Sequence, residues 1–307
     1  NGAEILIDGK RYPLPLREYT PWIRLTFRPG LGMKVRGICR FYLLETSPHL
    51  KLYMTPVQID PDKPALPISH PFTFAIYQAK TQGAFATLGL AEDTWSLNER
   101  VLDEEAFLKQ TYLIHKERER MFFDALEKTN RGAVVCVFDA TDRIQHMFFR
   151  YLDENHPANV GKDAEKFKDT IKDLYVQMDE MLGRAMEKLG NDAVLFVMSD
   201  HGFKLFKRGV NLNTWLYQNG YLTVSDKPTG AEWYQDVDWS RTKAYALGLG
   251  GIFINLKGRE GKGIVEPGEE AEKLKQEIIN KLTGLYDEEE KIEAVRGVYD
   301  SKDIYKG

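Results

Sequence analysis

Apolar and polar positions change rhythm along this chain. In the first 60 residues, short runs rich in β-branched and aromatic side chains are separated by turn dipeptides: 5–7 before Asp8-Gly9, 22–27 before Pro29-Gly30, then 38–44 and 50–57. Runs of that length broken by Gly, Pro and Asp predict several strands joined by tight turns, an antiparallel β-rich section over residues 1–60. Residues 61–71 hold four prolines, which predicts an extended stretch. The connector over 61–100 carries one short helix, opening at His70-Pro71 and running to about Thr81 before Gly83. From Glu104 the spacing of Phe107, Leu108, Tyr112, Ile114, Met121, Phe122 and Leu126 predicts a long amphipathic helix that ends near Asn130-Arg131-Gly132.

Beyond residue 132 the rhythm alternates. Residues 133–138 and 193–198 are continuous apolar runs, the pattern of parallel strands buried on both faces. Between them Leu174, Met178, Met181, Leu182, Ala185, Met186 and Leu189 recur at helical spacing, and Gly190-Asn191 closes the helix. A helix over 212–218, strands over 244–247 and 252–256 and an acidic helix over 268–282 complete the pattern. The expected fold class is α/β: an open, mostly parallel sheet flanked by helices over 101–307, with the β-rich antiparallel section in front of it. Ligands of such sheets bind beyond the carboxyl ends of the strands.

Composition narrows the function classes. With 307 residues, 43% hydrophobic and 29% charged, the chain is long enough to bury about three quarters of its extended surface. No uninterrupted apolar run approaches the roughly 20 residues that span a bilayer, so no membrane span is expected. The net charge is -4, divided as +3 over residues 1–100 and -7 over the remainder. That is a poor balance for a nucleic acid polymer as partner, whose binders gather a basic excess. Cys39 and Cys136, far apart and outside any CxxC pair, read as small buried hydrophobes rather than a disulfide or a metal pair.

Chemistry gathers where the two apolar runs end. The first is followed by Asp139-Ala140-Thr141-Asp142-Arg143-Ile144-Gln145-His146, the second by Ser199-Asp200-His201-Gly202. Each end therefore supplies an aspartate and a histidine, whose carboxylate oxygen and imidazole nitrogen suit a divalent zinc or manganese ion. Asp142 and His146 stand one helical turn apart and can share a face. An Asp-His pair is also a common hydrogen-bonded surface feature or helix cap, and Asp139 with Asp142 reads equally as a solvated acidic loop. His156 reads as a helix-end histidine or one that supports a ligand from behind, and His49, His70 and His115 have no neighbouring ligand pattern.

The Asp142-x-x-x-His146 loop and Ser199-Asp200-His201-Gly202 resemble the alkaline phosphatase superfamily, and within it the type I phosphodiesterase and nucleotide pyrophosphatase family. The runs 138–151, 211–216 and 255–259 add to the likeness, which covers roughly residues 100–307. The resemblance implies a metal-dependent phosphoesterase cutting phosphodiester or pyrophosphate bonds of a small phosphorylated substrate. It also implies two divalent metal ions, zinc or manganese, with Asp142 and His146 on one ion and Asp200 and His201 on the other. The family further uses an aspartate and a Thr or Ser nucleophile early in the domain and a histidine late in it. No matching positions occur here: Ile5-Leu6-Ile7-Asp8-Gly9 is followed by Arg11-Tyr12-Pro13, and no histidine follows His201. Thr141 and Ser199 read as caps or as groups that support a ligand from behind, so the nucleophile is unassigned. The chain is expected to be a piece of a longer protein and inactive alone. A phosphomutase or sulfatase of the same superfamily, or a binding module that kept only the fold, are the alternatives.

Overall fold

The computed structural model describes residues 2–30, 32–190, 193–230 and 233–305; Asn191 of the expected helix closure lies outside them. The chain divides into two compact units, residues 1–207 and 208–307.

In the first unit the sequence opens as hairpins. β1 (Gly2–Ile7) and β2 (Lys10–Pro15) pair antiparallel with Ile7 opposite Lys10. The two loop residues, Asp8 at φ 49° and Gly9 at φ 76°, supply the left-handed backbone that a two-residue hairpin turn requires. β3 (Ile23–Gly30) pairs with β4 (Met33–Cys39), which also pairs with β7 (Gln58–Ile59). β5 (Phe41–Glu45) pairs with β6 (Lys51–Met54). Leu14, Ile23, Cys39, Phe41 and Leu43 form the core of this section. Cys39 is buried as expected, whereas Cys136 is only partly so.

The connector contains α1 (Thr73–Gln82) and α2 (Thr94–Asn98). α3 (Glu104–Lys128) begins where the Asp103 carboxylate accepts the Ala106 N–H at 2.9 Å, an N-cap that satisfies one of the helix's free donors. Its Ala106 packs with Tyr42, Tyr53 and Leu102, fixing the β-rich section to the helix. Its Phe107 enters a second cluster with Ala140, Ile144 and Phe148 of α4 (Ala140–Phe148) and Ile171 and Leu174 of α5 (Thr170–Leu189). Of the positions read at helical spacing in 174–189, Leu174, Met181 and Ala185 are buried, whereas Met186 is 58% exposed.

The mostly parallel sheet does not form among the described residues. The runs 133–138 and 193–198 join no ladder, and every sheet is a small antiparallel one. The expected burial fails too: Val135 is 87% exposed, and Val194, Phe196 and Met198 are 79%, 76% and 86% exposed. The reason lies in pairing. A central strand needs hydrogen-bonding neighbours on both sides, and neither run has a paired neighbour among the described residues. The fold is a mixture of α-helices and short antiparallel sheets.

The second unit contains α6 (Leu212–Gln218), capped by the Asn211 side chain on Thr214 N–H, and the antiparallel pair β8 (Ala244–Leu247) and β9 (Gly251–Ile254). α7 (Glu269–Leu282) follows, then β10 (Leu285–Asp287) paired with β11 (Ile292–Val295), and α8 (Ser301–Ile304). α7 buries Ala271, Leu274, Ile278 and Leu282 against Trp215, Leu216, Tyr221 and Ile254, each large aliphatic contributing about 1.5–3 kcal/mol. Asn255 is fully buried, and its amide donates to the carbonyls of Trp239, Thr242 and Lys262.

Candidate metal centre

α4 begins directly after the first apolar run and presents Asp142 and His146 one turn apart. His146 Nε2 lies 3.2 Å from Asp142 Oδ1. His201, from the segment after the second run, brings its own Nε2 to 3.4 Å from the same oxygen. One ligand atom from each of Asp142, His146 and His201 lies within 4.8 Å of the others. Asp200 stands outside this convergence: its side chain is 89% exposed, and its Oδ2 is 3.7 Å from His201 Nε2. Of the four residues singled out by the sequence, three meet and the fourth adjoins the meeting point.

The protonation of His201 follows from its partners. Nδ1 lies 3.0 Å from the Gly202 carbonyl oxygen, which only accepts, so Nδ1 carries a proton, and in the neutral ring Nε2 carries the lone pair. That lone pair then faces a carboxylate oxygen. Two acceptors at this distance need a positive centre between them, which a proton on the ring or a divalent cation supplies; one carboxylate and two imidazoles are a donor set that suits the cation. A ring N–H held by a backbone carbonyl is also the usual way a metal-binding histidine is oriented.

Aromatic packing and a clasp hold the histidines. The Phe203 ring lies 4.8 Å from that of His146, 5.2 Å from that of His201 and 6.1 Å from that of Phe149. His156, buried, accepts the Ala158 N–H at Nδ1, so its Nε2–H donates to the Phe206 carbonyl at 2.7 Å. Beside it Lys207 pairs with Asp153 at 2.6 Å. The segment that carries His201 is therefore tied to the turn that follows α4. His156 does cap a short helical turn, as its sequence context indicates, and it also fastens this segment.

Charges behind the centre complete it. Arg143 Nη1 lies 2.5 Å from Asp142 Oδ2, and its Nε lies 3.9 Å from Glu92 Oε2. Glu92 is buried in the connector, and burial pushes its carboxyl above the ordinary range, against the pull of Arg118 and Arg143. Arg118 of α3 pairs with Asp139 at 2.5 Å and donates to the Val137 carbonyl, anchoring the entry to α4. Arg143 sits inside the quoted motif, and its charge was the available signal. Glu92 and Arg118 had none, because nothing in their spacing ties them to residue 142. Thr141 Oγ1 donates to the Phe138 carbonyl at 3.1 Å and Ser199 Oγ to the His201 carbonyl, so both hydroxyls serve the local backbone. A cleft of about 340 Å³ lined by Phe85, Ile114, Met121, Val135 and Val137 lies elsewhere; none of the converging residues lines it.

Residues 61–307 match the family described as type I phosphodiesterase / nucleotide pyrophosphatase. The match takes in the connector as well as the region of the two motifs. No curated protein and no solved structure matches the chain significantly.

Proposed function

Because the chain belongs to the type I phosphodiesterase and nucleotide pyrophosphatase family, we propose that it is a metal-dependent phosphoesterase domain acting on phosphodiester or pyrophosphate bonds of small phosphorylated substrates. The observation that carries the metal reading is Asp142 Oδ1 facing His146 Nε2 and His201 Nε2 at 3.2 and 3.4 Å. Asp142, His146 and His201, whose ligand atoms converge, would hold one ion. Asp200, whose Oδ2 lies 3.7 Å from His201 Nε2, would add a ligand on the exposed side. Zinc or manganese accepts this mixture of carboxylate and imidazole. Bound there, divalent ions supply the positive charge that steadies the oxygens of a phosphoryl group.

The chain's own residues do the positioning. Gly202 fixes the His201 tautomer, Phe203 packs both imidazoles, and the His156–Phe206 bond keeps their segment beside α4. No nucleophile is assigned, since the nearby hydroxyls of Thr141 and Ser199 are engaged with backbone carbonyls. Turnover by this chain alone is accordingly expected to be slight.

The test is metal content after loading with zinc or manganese and exhaustive dialysis, for the parent and for His201→Ala. The parent should retain metal and the variant should lose most of it. Equal retention would remove His201 from the site and the cation argument with it.

A further inference from the structure

The Asp142 carboxylate is held from two sides that differ in kind. Oδ1 faces the two imidazole nitrogens, while Oδ2 is taken by Arg143 Nη1 at 2.5 Å. The guanidinium is 18% exposed and its other flank meets Glu92, whose side chain is 1% exposed. Neither Glu92 Oε2 nor Arg143 Nε has a hydrogen-bond partner; at 3.9 Å they are joined by charge alone. A carboxylate this deeply buried persists only beside a compensating cation. Ionised, Glu92 draws the guanidinium towards it by charge across 3.9 Å, while Nη1 takes one oxygen of Asp142.

We propose that Arg143, anchored by Glu92, is a positioning residue that keeps Oδ2 of Asp142 out of the metal's coordination and so makes Asp142 a one-oxygen ligand. This rests on the metal reading given above. The consequence is selectivity. Zinc favours few ligands with nitrogen among them, whereas manganese accepts more oxygens in an octahedral set. Withholding one oxygen biases the centre towards the low-coordinate ion. Nη1 also sets the carboxylate's rotation, so that Oδ1 rather than Oδ2 is offered to the side where His146 and His201 converge.

The experiment uses the whole chain with cobalt(II) as spectroscopic probe, followed by zinc and manganese competition for the same site. The variants are Arg143→Gln, Arg143→Lys and the double substitution Glu92→Gln with Arg143→Gln. The double substitution removes the buried carboxylate as well, and carries the test if Arg143→Gln alone does not fold. With Oδ2 released, the visible cobalt bands should weaken as coordination number rises, and zinc affinity should fall by about tenfold, a typical effect of disturbing a ligand's hydrogen-bond partner, while manganese affinity does not, so that the zinc-to-manganese ratio falls. Arg143→Lys keeps a cation against Oδ2 and should retain the parental spectrum. Parental bands or a parental ratio in the glutamine variants would overturn the proposal. His201→Ala is the control: if it binds cobalt as the parent does, the metal reading fails, whatever Arg143 does.

Discussion

Glu117 of α3 offers a sharp test of how the first unit is held together. Its side chain is 3% exposed; one oxygen accepts from Arg40 and from Trp22 Nε1, each at 2.7 Å, and the other accepts the Ala86 N–H at 2.9 Å. Arg40 is itself only 12% exposed and lies over the Trp22 ring at 4.5 Å. One carboxylate thus joins the β3 entry, the residue between β4 and β5, the connector and α3. Glu117→Gln keeps the shape but removes the charge, and it turns an amide NH2 towards a donor on at least one side. Arg40 is left buried without a counter-charge, a loss of about 3–5 kcal/mol. For a unit of this size each kcal/mol shifts the melting midpoint by about 2–4 °C, so the unit should melt roughly 6–20 °C earlier. Scanning calorimetry of the parent and the variant reads this directly. The double variant Arg40→Met with Glu117→Leu should recover much of the loss, because replacing both charges of a buried pair is often nearly neutral. A midpoint within 2 °C of the parent, by roughly the same conversion, for Glu117→Gln would refute the argument, since it would mean that Arg40 reaches water or another partner at no cost.

Two other expectations follow. His156→Ala removes the bond to the Phe206 carbonyl, so amide exchange across 203–207 should accelerate about fivefold, corresponding to a net hydrogen bond of about 1 kcal/mol; unchanged exchange would show that the segment is held by other contacts. Burial pushes the Glu104 carboxyl up, but hydrogen bonds from Lys162 and Tyr151 outweigh it and hold it below its ordinary 4.5. A depressed carboxylate contributes stability above its unfolded value and loses it as pH falls through the folded value. The urea midpoints of parent and Glu104→Gln should therefore differ at neutral pH and converge on acidification below that range, and a gap that stays constant with pH would contradict the assignment.

Local signals in the sequence were legible where one element's own residues decide the outcome. Asp8-Gly9 makes a hairpin turn because both residues tolerate positive φ, and the apolar stripe of 174–189 makes a helix face because its spacing matches the helical repeat. The parallel strands were not legible. An apolar run reports that a segment favours burial, but a strand is made by its neighbours, and the runs at 133–138 and 193–198 find none among the described residues. The candidate centre divides in the same way. Asp142 and His146 are visible as a pair at helical spacing, whereas the approach of His201 depends on Phe203, His156 and Lys207, contacts that no spacing encodes.

Buried acids show why the supporting residues escape a sequence reading and yet matter for the centre. Asp60 meets Arg24, Glu92 meets Arg143, Glu104 meets Arg150 and Lys162, and Glu117 meets Arg40. Each acid is at most 10% exposed at the side chain, and each partner lies at least 36 residues away in the chain. A sequence with 42 basic and 46 acidic residues offers far too many pairings to choose among. Physics chooses, because an ionised carboxylate taken out of water must be met by a cation or by several donors. Two of these links, Glu92 to Arg143 and Glu104 to Arg150, end in α4 or directly after it. The helix that carries Asp142 and His146 is therefore pinned at its middle and just beyond its carboxyl end by acids from the connector and α3. Small changes far from residue 142 in sequence can move its carboxylate, and Glu92 is where that coupling should be strongest.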